Sequence, residues 1–320
     1  MPEGKEKSPL VLSAPPHIRT KDNINKIMWT VVAVLMLPVT YSIYIFGYNA
    51  ALILLTCVVS GVSAEAAFQY FMKREIKIMN GSSVITGLLV GMNVPSHSPI
   101  WMSAIGSIFA VIIVKELFGG LGYNIFNPAL AGKAFMMASW TVHMTSSVHN
   151  FPSEAAIAEK IIPTGNLHSI LKSLFMDNTG GCIGEVSVLL IFIGGLILIF
   201  RRIITWHIPV SFIATIAIVS YLYYYFLGFT HPGFVALLHI FSGGIFLGVF
   251  FMATDLVTSP VSVNGMIIFG IGCGLLTFTI KVLGGNPAGW AYSILIMNAV
   301  VPLIDRFTKQ SFLGVSKKSI

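Results

Sequence analysis

Long runs of apolar residues, separated by a few charged residues, are the feature that most limits how this sequence can fold. Seven runs approach or reach the roughly 20 residues that a helix needs to cross about 30 Å of hydrocarbon. These full-length candidates are 28–47, 50–72, 100–118, 185–200, 206–228, 266–283 and 288–304. Three shorter or interrupted runs, at 81–94, 128–142 and 232–253, bring the expected number of spans to ten. The sequence therefore predicts an all-α integral membrane protein with ten transmembrane helices.

The amino-acid composition also indicates a protein that is embedded in the lipid bilayer. Hydrophobic residues make up 55% of the 320 residues and charged residues only 10%, against about 25% charged in soluble domains. This excludes a soluble enzyme and a disordered chain. The net charge of +7 would suggest nucleic acid in a soluble protein, but the basic residues lie between apolar runs. The bilayer, and not nucleic acid, is thus the expected partner, and the three widely spaced cysteines predict no metal site.

The Lys and Arg residues predict which side of the membrane each loop faces, because cytoplasmic loops are enriched in them. With the N-terminus inside, fifteen of the 19 Lys and Arg fall on the cytoplasmic side. Lys160, Lys172 and Lys281 fall outside, and Lys133 lies near the end of a span. We therefore expect a multi-pass protein of the cell membrane with both termini in the cytoplasm.

A weak internal repeat predicts how the spans are arranged. The glycine-rich strings after Lys115 and Lys281 resemble each other, and glycine-broken runs occur at Gly81 and Gly243. This similarity predicts two repeats of five spans each. Because five is an odd number, the two repeats have opposite orientations in the membrane, and the broken helices are expected near a site at the midplane. Chance similarity of glycine-rich spans is the competing interpretation. The expected organisation is a cytoplasmic segment (1–27), a first five-helix repeat (28–142), an extracytoplasmic loop (143–184), a second five-helix repeat (185–305) and a cytoplasmic tail (306–320).

Three acidic residues in or beside the apolar runs are candidates for ion coupling. Glu65 is the only charged residue within the first two spans, and a carboxylate in hydrocarbon costs about 2.5–3.5 kcal/mol on insertion scales. Glu116 and Asp255 lie at the ends of spans. Each could bind a proton or a small cation. The alternatives are a snorkelling or hydrogen-bonded carboxyl for Glu65, a local ion pair of Glu116 with Lys115, and a simple helix end at Asp255.

The broken run that starts at Gly81-Ser82-Ser83 and includes Thr86 opens with glycine and hydroxyl side chains. Such a helix start presents free N–H groups and a positive dipole end, which could bind an anion or the polar edge of a ring. Small residues at these positions are equally consistent with close packing of two helices. Spacing alone leaves both interpretations open.

Four short strings, found in order along the whole chain, resemble the RnfD/NqrB family of membrane subunits. They are SAPPHIR at 13–19, GSSVITGL at 81–88, GGLGYNIFNPA at 119–129 and GGCIGE at 180–185. Length favours the Rnf branch, because the related subunits of sodium-pumping quinone reductases usually have a longer N-terminal region. The resemblance also implies ten spans in two inverted halves, in agreement with the count above.

This resemblance implies a subunit of an ion-translocating oxidoreductase. Such a complex carries electrons between ferredoxin and NAD or another acceptor and couples their flow to the export of sodium or protons. The implied partners are the other Rnf subunits, A, B, C, E and G, and the chain is not expected to be active alone. A cofactor-free channel or solute transporter on the same inverted-repeat scaffold is the alternative, since a fold does not fix a function.

The resemblance further implies flavin: FMN joined by a phosphoester to a threonine of the outer loop and, in several members, a non-covalent riboflavin. The family's acceptor threonine ends a Ser/Thr-Gly-Ala-Thr string, which this chain lacks. Asn166 stands at the acceptor position and has no hydroxyl group. Thr164 is the nearest hydroxyl and the expected acceptor, and the other loop hydroxyls that could take this role are those of Ser169, Ser173 and Thr179. The alternative is that Thr164 is an ordinary turn residue and FMN is non-covalent or missing.

The remaining flavin contacts are expected from residues near the glycine-rich strings. A flavin ring needs hydrogen bonds to its edge and stacking on its face. Tyr123 and Phe126 could stack, and Lys133 could lie near the ring or the phosphate. The candidates for hydrogen bonds to the ring edge are Ser82, Ser83, Thr86, Asn124 and Asn127. No catalytic residue is predicted.

Overall fold

The computed structural model describes residues 23–145, 181–241, 244–286 and 288–308. Its elements are almost entirely helical, and the described part of the chain contains no strand, only an isolated bridge between Pro95 and Cys182. The FMN candidate Thr164 and most of the loop 143–184 lie outside the described residues. The expected all-α class is therefore confirmed for the part of the chain that is described.

Helices are numbered here in chain order. The first series is α1 (Ile24–Phe46), α2 (Tyr48–Phe71), α3 (Ser82–Met92), α4 (Ile100–Phe109), α5 (Pro128–Ser139) and α6 (Thr141–Thr145). The second series is α7 (Val188–Phe200), α8 (His207–Phe226), α9 (Pro232–Phe241), α10 (Ile245–Leu247), α11 (Val263–Phe278) and α12 (Gly289–Phe307). Three of them continue as π-helix: α4 through Ala110–Glu116, α10 through Gly248–Met252 and α11 through Thr279–Leu283.

Within the described ranges, five helices are long and apolar enough to cross a membrane: α1, α2, α8, α12 and α11 with its π-helical end. A sixth span is added if α9 and α10 with its π-helical end, which meet at a bend of 60°, count as one. The chain is thus a multi-pass membrane protein. Two spans expected at full length are shorter, because α4 with its extension covers only Ile100–Glu116 and α7 only Val188–Phe200. The count of ten stays a prediction.

Glycine in the left-handed region starts both broken helices. Gly81 precedes α3 with φ 81° and ψ −3°, and Gly244 precedes α10 with φ 73° and ψ 9°. Residues with a Cβ are disfavoured in this conformation, so glycine is the natural residue at each break. The break expected at Gly81 is confirmed. Gly243 itself lies outside the described residues, and the second helix start falls directly after it.

Close packing of α3 against α2 positions the start of α3 inside the protein. A Cβ atom on Gly87 would lie 2.7 Å from the main-chain oxygen of Cys57, so the two backbones approach more closely than larger residues would allow. The helix α2 also packs against α4, while α8 packs against α9 and α11. The interpretation of small residues as a packing surface therefore holds for Gly87, and it brings Ser82 and Ser83 beside α2 and α4.

Candidate functional site

A buried ion pair joins α2 to the π-helical end of α4. The Nζ atom of Lys115 lies 2.7 Å from Oε1 of Glu65, and the two side chains are 3% and 1% exposed. Burial of two charges is tolerable only when they are paired directly and hydrogen-bonded. Glu65 therefore does not snorkel towards the membrane surface. It is held inside the protein, and its partner is Lys115.

Lys115 also holds the start of α3. Its Nζ atom donates to Oγ of Ser82 at 2.6 Å and to Oγ of Ser83 at 2.9 Å, in addition to Glu65. An ammonium group has three hydrogens, so all of its donors are used. Three helices thus meet at one side chain. The hydroxyls of Ser82 and Ser83 face this lysine.

Glu116, the last residue of the same π-helical segment, is 1% exposed. Its carboxyl group lies within the electrostatic reach of Lys115 and Glu65 and beside the amide of Gln69. Three carboxylate oxygens here have no hydrogen-bond partner of good geometry among the described residues: Oε2 of Glu65 and both oxygens of Glu116. The alternative interpretation, a local Lys115–Glu116 ion pair, is not found as a direct contact among the described residues, because the lysine binds Glu65 instead. Buried carboxylate oxygens without donors are an arrangement that a bound cation or proton would satisfy.

The backbone after Glu116 leaves room for its carboxyl group. Gly119, Gly120 and Gly122 all have positive φ, a conformation that glycine adopts without strain. A Cβ atom on Gly120 would lie 3.5 Å from Oε1 of Glu116. The glycine string that carried the family resemblance therefore also turns the chain around the carboxyl group of Glu116.

Asp255 has local partners that differ from those of the two glutamates. Its Oδ1 accepts from the main-chain N–H of Val257 at 3.4 Å, and its Oδ2 accepts from the hydroxyl of Thr258 at 3.3 Å. It follows the π-helical end of α10. These contacts are those of a carboxylate that closes a turn at a helix end.

A second buried cation lies between the two series of helices. Lys133 on α5 is 3% exposed; its Nζ donates to Oδ1 of Asn93 at 3.0 Å and lies 4.3 Å from the centre of the Trp290 ring on α12. The indole N–H of Trp290 has no hydrogen-bond partner among the described residues. Asn127 also joins the two series, since its Nδ2 donates to the main-chain oxygen of Met252 at 3.1 Å.

The predicted flavin residues fall into three groups by their contacts. Ser82, Ser83 and Thr86 lie at the start of α3, where Thr86 donates its hydroxyl to the main-chain oxygen of Ser82 at 3.1 Å. Asn127 and Lys133 form the second group, which makes contacts between the first and the second series of helices. The third group is on the loop before α5: Tyr123, whose side chain is 71% exposed, the half-buried Phe126, and Asn124, which donates to the main-chain oxygen of Phe126 at 3.1 Å.

The three groups differ in how well they could bind a flavin. The loop offers the accessible aromatic ring of Tyr123, which could cover the face of a flavin. The hydroxyls of Ser82 and Ser83 already bind Lys115, and Asn127 already caps α5 through Ala129 and Leu130. The loop therefore fits a flavin better than the start of α3 does.

Three residues of these clusters, Gln69, Asn93 and Trp290, were not predicted from the sequence. Gln69 could have been found, because it lies four residues after Glu65 on the same face of α2, and its Nε2 donates to Oε1 of Glu65 at 3.3 Å. Asn93 and Trp290 meet Lys133 from elements that are far apart in the sequence. No periodicity in a single sequence identifies such a contact.

Charged side chains sealed inside an apolar helical bundle mark ion pathways in membrane proteins. The multi-pass architecture, the Glu65–Lys115 pair and the unpaired carboxylate oxygens thus define a membrane protein of the ion-handling class. The chain belongs to the NQR2, RnfD, RnfE family, which it matches over residues 11–314. The family expected from the four sequence strings is therefore confirmed.

Several relatives are similar to the chain over nearly their whole length. The D subunit of the Na(+)-translocating ferredoxin:NAD(+) oxidoreductase complex of Acetobacterium woodii is 43% identical over 316 residues, which cover 96% of each chain. The D subunit of the proton-translocating ferredoxin:NAD(+) oxidoreductase complex of Clostridium ljungdahlii is 38% identical and covers 98% of each. The D subunit of the ion-translocating oxidoreductase complex of Methanosarcina acetivorans is 33% identical, with 95% of this chain and 96% of the relative covered.

Proposed function

We propose that this chain is the RnfD component of an Rnf-type ion-translocating oxidoreductase and carries electrons within the membrane. The observation that carries the proposal is the similarity to the D subunits of such complexes over 95–98% of the chain. Electrons would pass between ferredoxin and NAD or another acceptor, coupled to export of sodium or protons. The partners would be the other Rnf subunits, A, B, C, E and G, and the chain would not act alone.

The proposed topology is ten spans in two inverted sets of five, in the cell membrane, with both termini cytoplasmic. Two pairs of matching features support it. Gly81 and Gly244 begin the broken helices in the same left-handed conformation, and α4 and α11 both end in π-helix that carries one lysine, Lys115 or Lys281. In this topology Glu65 and Glu116 lie towards the cytoplasmic side.

The proposed cofactors are flavins: FMN bound through Thr164, and a non-covalent riboflavin. A bound flavin supplies one- and two-electron transfer. Tyr123 and Phe126 would cover the ring of the non-covalent flavin and Asn124 would bind its edge, while Lys133 would add a positive charge near it. Ser82, Ser83, Thr86 and Asn127 would take part only after giving up their present partners in the protein.

The proposed ion site is the pair Glu65 and Glu116. Carboxylate oxygens are the ligands that hard cations prefer, and three oxygens of this pair lack a hydrogen-bond partner of good geometry among the described residues. A sodium ion or a proton would occupy them. Asp255 is a secondary ion-coupling candidate, because its carboxylate already has local partners.

The proposed function is tested on the assembled complex purified through this subunit. We expect flavin absorption in the native complex and a fluorescent band for this chain in a denaturing gel. Thr164→Val should abolish the fluorescence of the band, whereas Ser169→Ala, a matched change in the same loop, should keep it. Fluorescence that survives Thr164→Val would overturn the attachment site alone. A flavin-free preparation that transports a solute would overturn the redox role and support the channel or transporter.

A further inference from the structure

We propose that Lys115 is a fixed internal cation that limits the Glu65–Glu116 site to one monovalent ion and makes it reject divalent ions. This rests on the proposed function, in which the two glutamates bind the coupling ion. The role of Lys115 is then to set the charge of the site. It selects the ion without being part of the transported charge.

The charge of the buried cluster follows from its members. Glu65, Glu116 and Lys115 are all buried, and together they carry a net charge of −1 when both carboxyls are ionised. A single sodium ion or proton neutralises this charge. A divalent ion would leave an uncompensated positive charge in a buried site, where solvation of a charge is poor.

The other charged groups nearby do not change this count. Arg74 is exposed and bonds to the main-chain oxygen of Glu116 at 3.4 Å. Lys77 pairs with Glu75 at 3.0 Å, with side chains 67% and 83% exposed. Water and salt screen exposed charges strongly. The balance at the buried carboxyls is therefore set by Lys115 and the two glutamates.

Lys115 also occupies part of the oxygen atoms of the cluster. Lys115 takes Oε1 of Glu65 and the hydroxyls of Ser82 and Ser83, which leaves three carboxylate oxygens for an ion. Carboxylate oxygens bind monovalent and divalent hard cations alike, so the charge of the cluster, and not the number of its oxygen atoms, distinguishes the two kinds of ion. The three hydrogen bonds of Lys115 also tie its ammonium group to α2 and α3, so the internal charge is fixed in place.

Two independent changes raise the negative charge of the cluster from −1 to −2. Lys115→Gln removes the ammonium group, and Gln69→Glu adds a carboxylate beside Glu65 while Lys115 stays. Lys115→Gln with Glu116→Gln returns the charge to −1, and Lys115→Arg keeps it at −1. These four variants separate the effect of charge from the effect of altering one position.

The measurement is inhibition of ion pumping by calcium, in proteoliposomes that contain the assembled complex, with assembly checked by size-exclusion chromatography. We expect the half-inhibiting calcium concentration to fall at least about tenfold in Lys115→Gln and in Gln69→Glu. The double variant and Lys115→Arg should lie near the unchanged complex. If Lys115→Gln fails to assemble, Gln69→Glu alone decides.

The outcomes separate the two proposals. Unchanged calcium sensitivity in the assembled −2 variants, with a Glu116→Gln variant that does weaken ion pumping, would overturn the role of Lys115 and leave the ion site standing. If Glu116→Gln has no effect on the dependence of pumping on the coupling ion, the ion site itself is wrong. Equal sensitivity in Lys115→Gln and in the double variant would also overturn the charge rule.

Discussion

Two helices of this protein, α4 and α11, end in the same way but surround their lysines very differently. Lys115 on α4 is buried and bonds to Glu65, Ser82 and Ser83. Lys281 on α11 is half-buried, and its Nζ lies 3.5 Å from the main-chain oxygen of His239. A π-helical end that carries a lysine is thus present in both series of helices. The lysine of the first series bonds to an ionic cluster, and the lysine of the second approaches a main-chain oxygen.

The neighbours of Lys281 extend the contrast. The side chain of His239 is hydrogen-bonded to the hydroxyl of Tyr224 at 2.9 Å, and the two rings stack with centres 5.4 Å apart. The main-chain oxygen that Lys281 approaches thus belongs to a residue with aromatic neighbours, where Lys115 binds the carboxylate of Glu65 and two hydroxyl groups. A π-helical end with a lysine is therefore found in two different surroundings.

Replacement of each lysine by methionine tests this comparison, and the largest loss of stability is expected for Lys115→Met. It leaves two buried carboxylates without their ammonium group, and loss of one partner of a buried pair costs about 3–5 kcal/mol. Lys281 is only half-buried, so Lys281→Met removes a charge that water partly solvates and should cost less. Unfolding of the purified protein in sodium dodecyl sulfate measures both. Equal losses would show that the two ends are energetically alike.

The two helix-starting glycines give the second comparison. Gly81→Ala places a residue with a Cβ in the left-handed region, at a cost of about 1–2 kcal/mol, and the new atom meets Trp29 only at an ordinary 3.4 Å. Gly244→Ala has the same backbone cost, and its Cβ would also clash with the carboxyl group of Glu185. We expect it to cost about 1–3 kcal/mol more. The same unfolding assay would contradict this if Gly81→Ala were the more damaging change.

The acidic residues give the third and smallest difference. Glu116→Gln should raise the concentration of coupling ion needed for half-maximal pumping by about tenfold, which corresponds to about 1.4 kcal/mol. Asp255→Asn should change it by less than about threefold, because that side chain closes a local turn through Val257 and Thr258. Pumping by proteoliposomes at graded ion concentrations measures both. A larger effect at Asp255 would move the proposed site to the second series.

Much of the fold could be predicted from the sequence because its strongest signals are local. Apolar runs predicted the long helices α1, α2, α8, α11 and α12. Glycine predicted the break at Gly81, since its conformational freedom is a property of one residue. Helix lengths were less predictable. The run at 185–200 begins with a short turn, Ile183–Glu185, and with a Ser187 side chain that caps α7, so the helix itself is shorter than the run.

The site could be predicted only in part. Glu65 was found because a charge in an apolar run is costly. Its partner was not, since Lys115 is 50 residues away and the adjacent Glu116 looked like the simpler choice. Asp255 had the same local signal as Glu65, yet the structure gives it turn contacts. Single-residue chemistry indicates which side chains need an explanation, but tertiary contacts decide which explanation applies.

The three bonds of Lys115 have a consequence for motion. One side chain links α2, α3 and the end of α4, so these helices cannot separate there without exposing buried charges. At the proposed ion site, access to Glu116 would then come from rotation of side chains while the helix ends stay together. We therefore expect α2, α3 and the end of α4 to move as one unit at this end of the molecule.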